Sequence, residues 1–214
     1  MDDEDVLGSD NSIQEWSDAV AETTSTPAGG AVAALATALA ASLVAMVAGL
    51  TIRREKYAAV HDHARDTLQR AEQLRSDLLD MATLDAVAVA EYMDALSLPH
   101  GTEFERTARE AAKRAALMEA ARIQLELLYQ ASEVAELAEA MVGSGLATAI
   151  GDAASAGLLA AATSRSAYWS IRSNMKAARW PEEGRLLIDS AWITLEHVEA
   201  AELRVQQLLE ERVG

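Results

Sequence analysis

Residues 31–50 form a stretch of twenty residues without a charge, and nine of them are alanine. Alanine is the strongest helix former and a poor strand former, so this stretch predicts a helix. At 1.5 Å per residue it would be about 30 Å long, enough to cross a bilayer. Alanine is nearly neutral for membrane insertion, however, and Thr37 and Ser42 dilute the segment further. The chain carries one such segment. The expectation is a central helix wrapped by other helices, in part those of a subunit partner, with no membrane span.

The remaining sequence extends this into an all-α fold, a helical bundle around a long central alanine-rich helix. Half the residues are hydrophobic but only 4% are aromatic, so the core must be built from small side chains packed closely. Pro27, Pro99 and Pro181 are the three prolines, and each falls between helical patterns. Ser12-Ile13-Gln14-Glu15 reads as a capping box that opens a short helix to about residue 21. Pro27-Ala28-Gly29-Gly30 is a loop leading into the central helix. A charged helix is expected from about residue 53 to 80, followed by a more apolar piece over 84–96. Thr102-Glu103-Phe104-Glu105 starts a long helix to about 142. Asp152 is placed as the N-cap of a helix reaching 179. Beyond Pro181, apolar residues recur at three-to-four spacing almost to the C-terminus. Residues 1–11 read as an acidic, solvated tail, and 12–214 as one all-helical domain.

The formal charge of −16 argues against a nucleic-acid partner and against anionic lipid. Cysteine is absent, which removes disulfides and thiolate metal sites. The opening Met1-Asp2-Asp3-Glu4-Asp5 lacks the basic region of a secretory signal, so the cytoplasm is the expected compartment. His61-Asp62-His63 does not read as a metal site, because residues two apart on a helix face different sides.

Three regions are candidates for binding. Gly29 and Gly30 at a helix N-terminus offer backbone N–H groups to an anionic or carbonyl-bearing ligand, although an ordinary tight turn into a helix has the same sequence. Arg165, Arg172, Lys176 and Arg179 share one helix face by spacing; Arg165 and Arg179 read as surface partners of acidic neighbours, while Arg172 sits among Tyr168, Trp169 and Asn174. Arg53, Arg54 and Lys56 follow the uncharged helix, where cations favour a helix C-terminus.

Taken in order, these segments resemble the cyclodeaminase/cyclohydrolase family. That family comprises the C-terminal half of formimidoyltransferase-cyclodeaminase and the stand-alone methenyltetrahydrofolate cyclohydrolases. The resemblance runs from about residue 12 to 179. Its strongest part is Thr26-Pro27-Ala28-Gly29-Gly30-Ala31 through Met46-Val47-Ala48-Gly49-Leu50-Thr51, with Lys56-Tyr57, Asp85, Leu98-Pro99, Ile150-Gly151-Asp152-Ala153, Ile171 and Asn174 as further matches. It implies an at least dimeric all-helical subunit acting on tetrahydrofolate-bound one-carbon units, with no metal or redox cofactor required and a tetrahydrofolate derivative as substrate. The reaction is the closing of formiminotetrahydrofolate with ammonia release, or the opening of methenyltetrahydrofolate by water. Asp152 and Asp85 become the catalytic carboxylate candidates. Gly29 and Gly30 would lie near the folate, Arg54, Lys56 and Arg172 would hold its glutamate tail, and Asn174 is a further binding candidate. Ala28, Ala31, Gly49, Arg53-Arg54, Thr83, Gln124, Leu146 and Ser170 depart from the family pattern. A second reading therefore stands beside the first: a member that keeps the fold as a binding or assembly subunit, or serves a different small-molecule reaction.

Overall fold

The computed structural model describes residues 7, 8 and 10–213, and among these it contains six α-helices and two short 3₁₀ turns. Helix α1 (Ile13–Ala21) is opened by Ser12, whose side chain accepts from the Glu15 N–H while Glu15 reaches back, as the capping box predicts. Residues 1–6 and 9 of the expected tail lie outside the described residues. Leu7 already packs on the core, and the Trp16 indole donates to the Gly8 carbonyl at 3.2 Å.

Helix α2 (Gly29–Ile52) is the central helix. It is apolar and long enough to cross a membrane by composition alone, but here α3, α4 and α5 pack on it. Ala31, Ala34, Ala40, Ala41 and Ala48 are fully buried, and Val44 and Val47 fill the space between them. Burying alanine faces brings backbones together and leaves few voids. A 3₁₀ turn, Glu55–Val60, separates α2 from α3 (His61–Ser97). Two expectations change here. The helix starts at His61 rather than near Arg53, and it runs unbroken where two pieces were expected, because Leu78, Met81, Ala82, Asp85 and Ala86 keep one buried face across the join.

Helix α4 (Glu103–Ser144) opens with a second capping box, Thr102 with Glu105. It leads through a 3₁₀ turn, Ala147–Ala149, into α5 (Ile150–Ala177). Asp152 is therefore not the N-cap, a position held by Ala149, but an exposed residue inside the first turn. Helix α5 also ends before Arg179, which leaves that residue off the basic stripe. Helix α6 (Glu182–Val213) closes the bundle against α4 and α5 through Ala191, Leu195, Val198, Ala201 and Val205.

Side-chain bonds set how these helices align. Thr163 on α5 and Thr37 on α2 share a buried hydroxyl pair at 2.8 Å, both also bonded to the Ala33 carbonyl. At the other end of α2, the Thr51 hydroxyl accepts from the Leu146 N–H at 2.9 Å and the Tyr57 hydroxyl from the Ala147 N–H at 3.1 Å. Helices α3 and α5 run antiparallel to α2, so the bundle has two ends: one holds the start of α2, and the other its finish.

Candidate active site

At the start of α2 no side chain caps the helix, since the N-cap residue is Ala28. The need of a helix N-terminus for an acceptor is met instead from α3. Asp85 accepts from the Ala31 N–H through Oδ2 at 2.8 Å, and from the Gln124 side-chain amide through Oδ1 at 2.6 Å. Only 7% of Asp85 is exposed. It stands deep within α3 and is shielded from solvent. Burial pushes its carboxyl above the usual range, and the two hydrogen bonds, from Ala31 and then Gln124, only partly oppose this.

Gly30 explains why the start of α2 is glycine. A Cβ there would lie 2.1 Å from Gln124 Nε2 and 2.2 Å from Asp85 Oδ1. Gly29, by contrast, has open space where a Cβ would project. The close approach of α2, α3 and α4 at this point needs a residue with no side chain.

Asp85, Gly29, Gly30 and Asn174 border one cavity of about 380 Å³, together with Tyr92, Gln124, Ser170 and Ser173. The cavity combines apolar walls from Ala88, Val89, Leu117 and Ala120 with a few convergent polar groups, the usual composition of a small-molecule site. Among its lining residues Asp85 and Tyr92 are the only titratable ones. Four of the eight sequence candidates therefore meet. Gln124 and Tyr92 were missed, and a helical spacing of Asp85, Val89 and Tyr92 on one face is the only signal that would have pointed to Tyr92.

The other four do not join them. Arg172 lies at the same end of α5 but outside the cavity lining, over the rings of Tyr168 and Trp169 at 5.8 and 5.4 Å. Arg54 and Lys56 are exposed in the turn beyond the far end of α2. The separation along the helix is about 33 Å from Ala31 to Arg53 at 1.5 Å per residue. Asp152 is at that far end as well, since α5 runs antiparallel. Arg165 pairs with Glu199 and Glu202 of α6, the surface role expected for it. His61 turns its Nε2 toward the Arg54 carbonyl at 3.1 Å, and His63 is exposed.

The fold and the site together define a helical bundle with a buried, hydrogen-bonded carboxyl at the edge of a cavity of about 380 Å³. Residues 12–182 match the formiminotransferase-cyclodeaminase family, and the chain belongs to it. A methenyltetrahydrofolate cyclohydrolase of Methylorubrum extorquens is 35% identical over 170 residues, spanning 79% of this chain and 82% of the relative. The formimidoyltransferase-cyclodeaminase of Mus musculus is 27% identical over 171 residues, which cover 78% of this chain and 31% of that longer protein. The crystal structure of a formiminotetrahydrofolate cyclodeaminase from Thermotoga maritima superposes with a TM-score of 0.86 at 26% identity, covering 96% of this chain and 98% of the other.

Proposed function

We propose that this chain is a cytoplasmic enzyme of folate one-carbon metabolism that opens methenyltetrahydrofolate with water to give 10-formyltetrahydrofolate. The observation that carries the reading is the buried Asp85 carboxyl, held by the Ala31 and Gln124 donors at the cavity edge. The named activity of the cyclohydrolase relative supports the choice of reaction.

The chemistry asks little beyond proton transfer. The methenyl carbon shares a positive charge with the two nitrogens it bridges, so a carboxylate beside it is attractive to the substrate. Asp85 takes a proton from water as the oxygen adds to that carbon. It returns a proton to the departing nitrogen as the C–N bond breaks and the formyl C=O forms. The remaining water proton goes to solvent. A carboxyl raised toward neutral pH by burial exchanges protons in both directions more readily than an ordinary one. The scheme requires no resident cofactor, the folate being the substrate.

The cyclodeaminase reaction is the second reading, favoured by the Thermotoga maritima structure. There the protonated Asp85 carboxyl would give its proton to departing ammonia as the ring closes. One pair of assays separates the two. Loss of the methenyl chromophore above the spontaneous rate supports the cyclohydrolase. Ammonia release from formiminotetrahydrofolate, without that acceleration, replaces it with the cyclodeaminase. Neither activity in well-folded protein rejects both in favour of a binding or assembly subunit.

The far-end residues enter this reading through a second copy of the chain. Helix α2 leaves Val32, Leu39 and Met46 at 40%, 52% and 41% exposure, seven residues apart on one face. Two such faces packed antiparallel would bury this stripe. They would also bring Arg54, Lys56 and Asp152 of the partner subunit to the end that holds Asp85. We therefore propose a homodimer whose sites are shared, with Asp85 as the central acid–base group.

A further inference from the structure

Beside the cavity lies a second pocket, of about 330 Å³, that shares Leu117 and Ala177 with it. Its walls carry Lys113, Arg114 and Arg179, with Glu110 as the single carboxylate among them. Arg114 also faces Glu183 of α6 at 3.7 Å, so three cations stand against two carboxylates, and the pocket keeps a positive character in a chain of net charge −16. Glu110 senses this field. The Lys113 ammonium bonded to it at 2.7 Å, with Arg179 and Arg109 nearby, holds its carboxyl below the usual range.

The backbone places Arg179 here. After α5 ends, Arg179 and Trp180 adopt φ of 62° and 53°, the left-handed region that non-glycine residues seldom occupy. The conformation is held by the Arg179 N–H donating to the Lys176 carbonyl at 3.1 Å and the Trp180 N–H to the Met175 carbonyl at 2.8 Å. The chain turns off the helix axis, and Arg179 joins the α4 cations instead of continuing the α5 stripe.

We propose that this pocket is the subsite for the carboxylates of the substrate's glutamate portion, an inference that rests on the folate reading above. The pteridine occupies the Asp85 cavity, the aminobenzoyl ring crosses Leu117 and Ala177, and the glutamate carboxylates meet Lys113, Arg114 and Arg179. Along α4, Lys113 precedes Gln124 by eleven residues. That is about 16 Å at 1.5 Å per residue, comparable with an extended pteridine joined to a benzoyl group. Arginine forks suit carboxylates, and a charge-assisted bond there is stronger than a neutral one. The assignment replaces Arg172 in the tail-binding role.

The test compares pteroylglutamate with pteroate, which lacks the glutamate, by calorimetry on the full chain. The wild-type protein should bind pteroylglutamate about tenfold more tightly or better, the scale of one or two charge-assisted contacts. In a folded Lys113→Gln/Arg179→Gln variant that preference should vanish while pteroate affinity stays the same. Equal binding of the two ligands by the wild type overturns the proposal. So does a preference that survives in the variant, or an equal loss of both ligands. Preference without any acceleration of ring opening would sink the reaction assigned above and leave the subsite standing.

Discussion

Asp85 is held by two donors yet remains a costly group to bury, and this makes opposite predictions for activity and stability. Asp85→Asn should lower turnover by about a hundredfold or more, the usual scale of a lost acid–base group. Its effect on folding has the other sign. Because the folded-state pKa is raised, folding favours the protonated form. The contribution of Asp85 to stability is therefore greatest at low pH and is lost as pH rises from the ordinary carboxylate range through the raised value. Asp85→Asn should flatten that part of the profile, and thermal melts from about pH 4 to about pH 7 will read it against the ordinary carboxylate pKa. A variant with the wild-type slope would show that another group is responsible. Gly30→Ala tests the same contact from its other side. The new methyl must displace Gln124 or Asp85, at about 1–3 kcal/mol for an overpacked site and with turnover falling in parallel. Gly29→Ala, with open space around it, should leave melting temperature and turnover near wild type. Equal effects at the two glycines would remove the close-approach argument.

Between elements, the α2–α5 contact depends on the Thr37–Thr163 pair, since much of the surrounding surface is alanine. Alanine faces set how close two helices come but specify their sliding register weakly. The buried hydroxyls supply that register, because sliding would carry the Thr163 hydroxyl away from both Thr37 and the Ala33 carbonyl. Thr37→Val or Thr163→Val alone should each cost about 1 kcal/mol, because the remaining hydroxyl loses its partner but keeps the Ala33 carbonyl. The double change should cost less than the sum, since both polar groups are then gone. Denaturant midpoints of the three variants form the cycle; strict additivity would mean that the pair does not act as a unit.

For the whole molecule, the prediction concerns shared sites. Sedimentation should show a dimer, and Leu39→Glu on the exposed α2 stripe should shift it toward monomer with loss of turnover. Mixing an inactive Asp85→Asn chain with an inactive Arg54→Glu/Lys56→Glu chain should restore activity. Random exchange makes half the dimers mixed, each with one intact site, so about a quarter of wild-type activity is expected for a twofold-symmetric pair. No recovery on mixing, with exchange verified, would confine the site to one chain.

Much of this architecture was legible in the residues. The uncharged alanine run, the Ser12 capping box, the Thr102-Glu105 helix start and the placement of the prolines are local signals, and helix formation responds to local signals. They anticipated α1, α2, α4 and α6 closely. The charged and the more apolar pieces expected over residues 53–96 form one helix, because Leu78, Met81, Ala82, Asp85 and Ala86 keep one buried face across the join. Asp152 looked like a cap because aspartate favours that position, but the 3₁₀ turn at Ala147–Ala149 moved the helix start ahead of it. The sequence by itself determined an all-helical chain with Asp85, Gly29, Gly30 and Asn174 among its candidates. Tertiary structure alone decided that these four share a cavity, that Arg54, Lys56 and Asp152 stand at the opposite end, and that Lys113 and Arg114 meet Arg179. The physical reason is that helix identity is set by neighbours a few residues away. A site is set by which ends of antiparallel helices coincide, and here that follows from buried contacts between residues 39 to 130 positions apart.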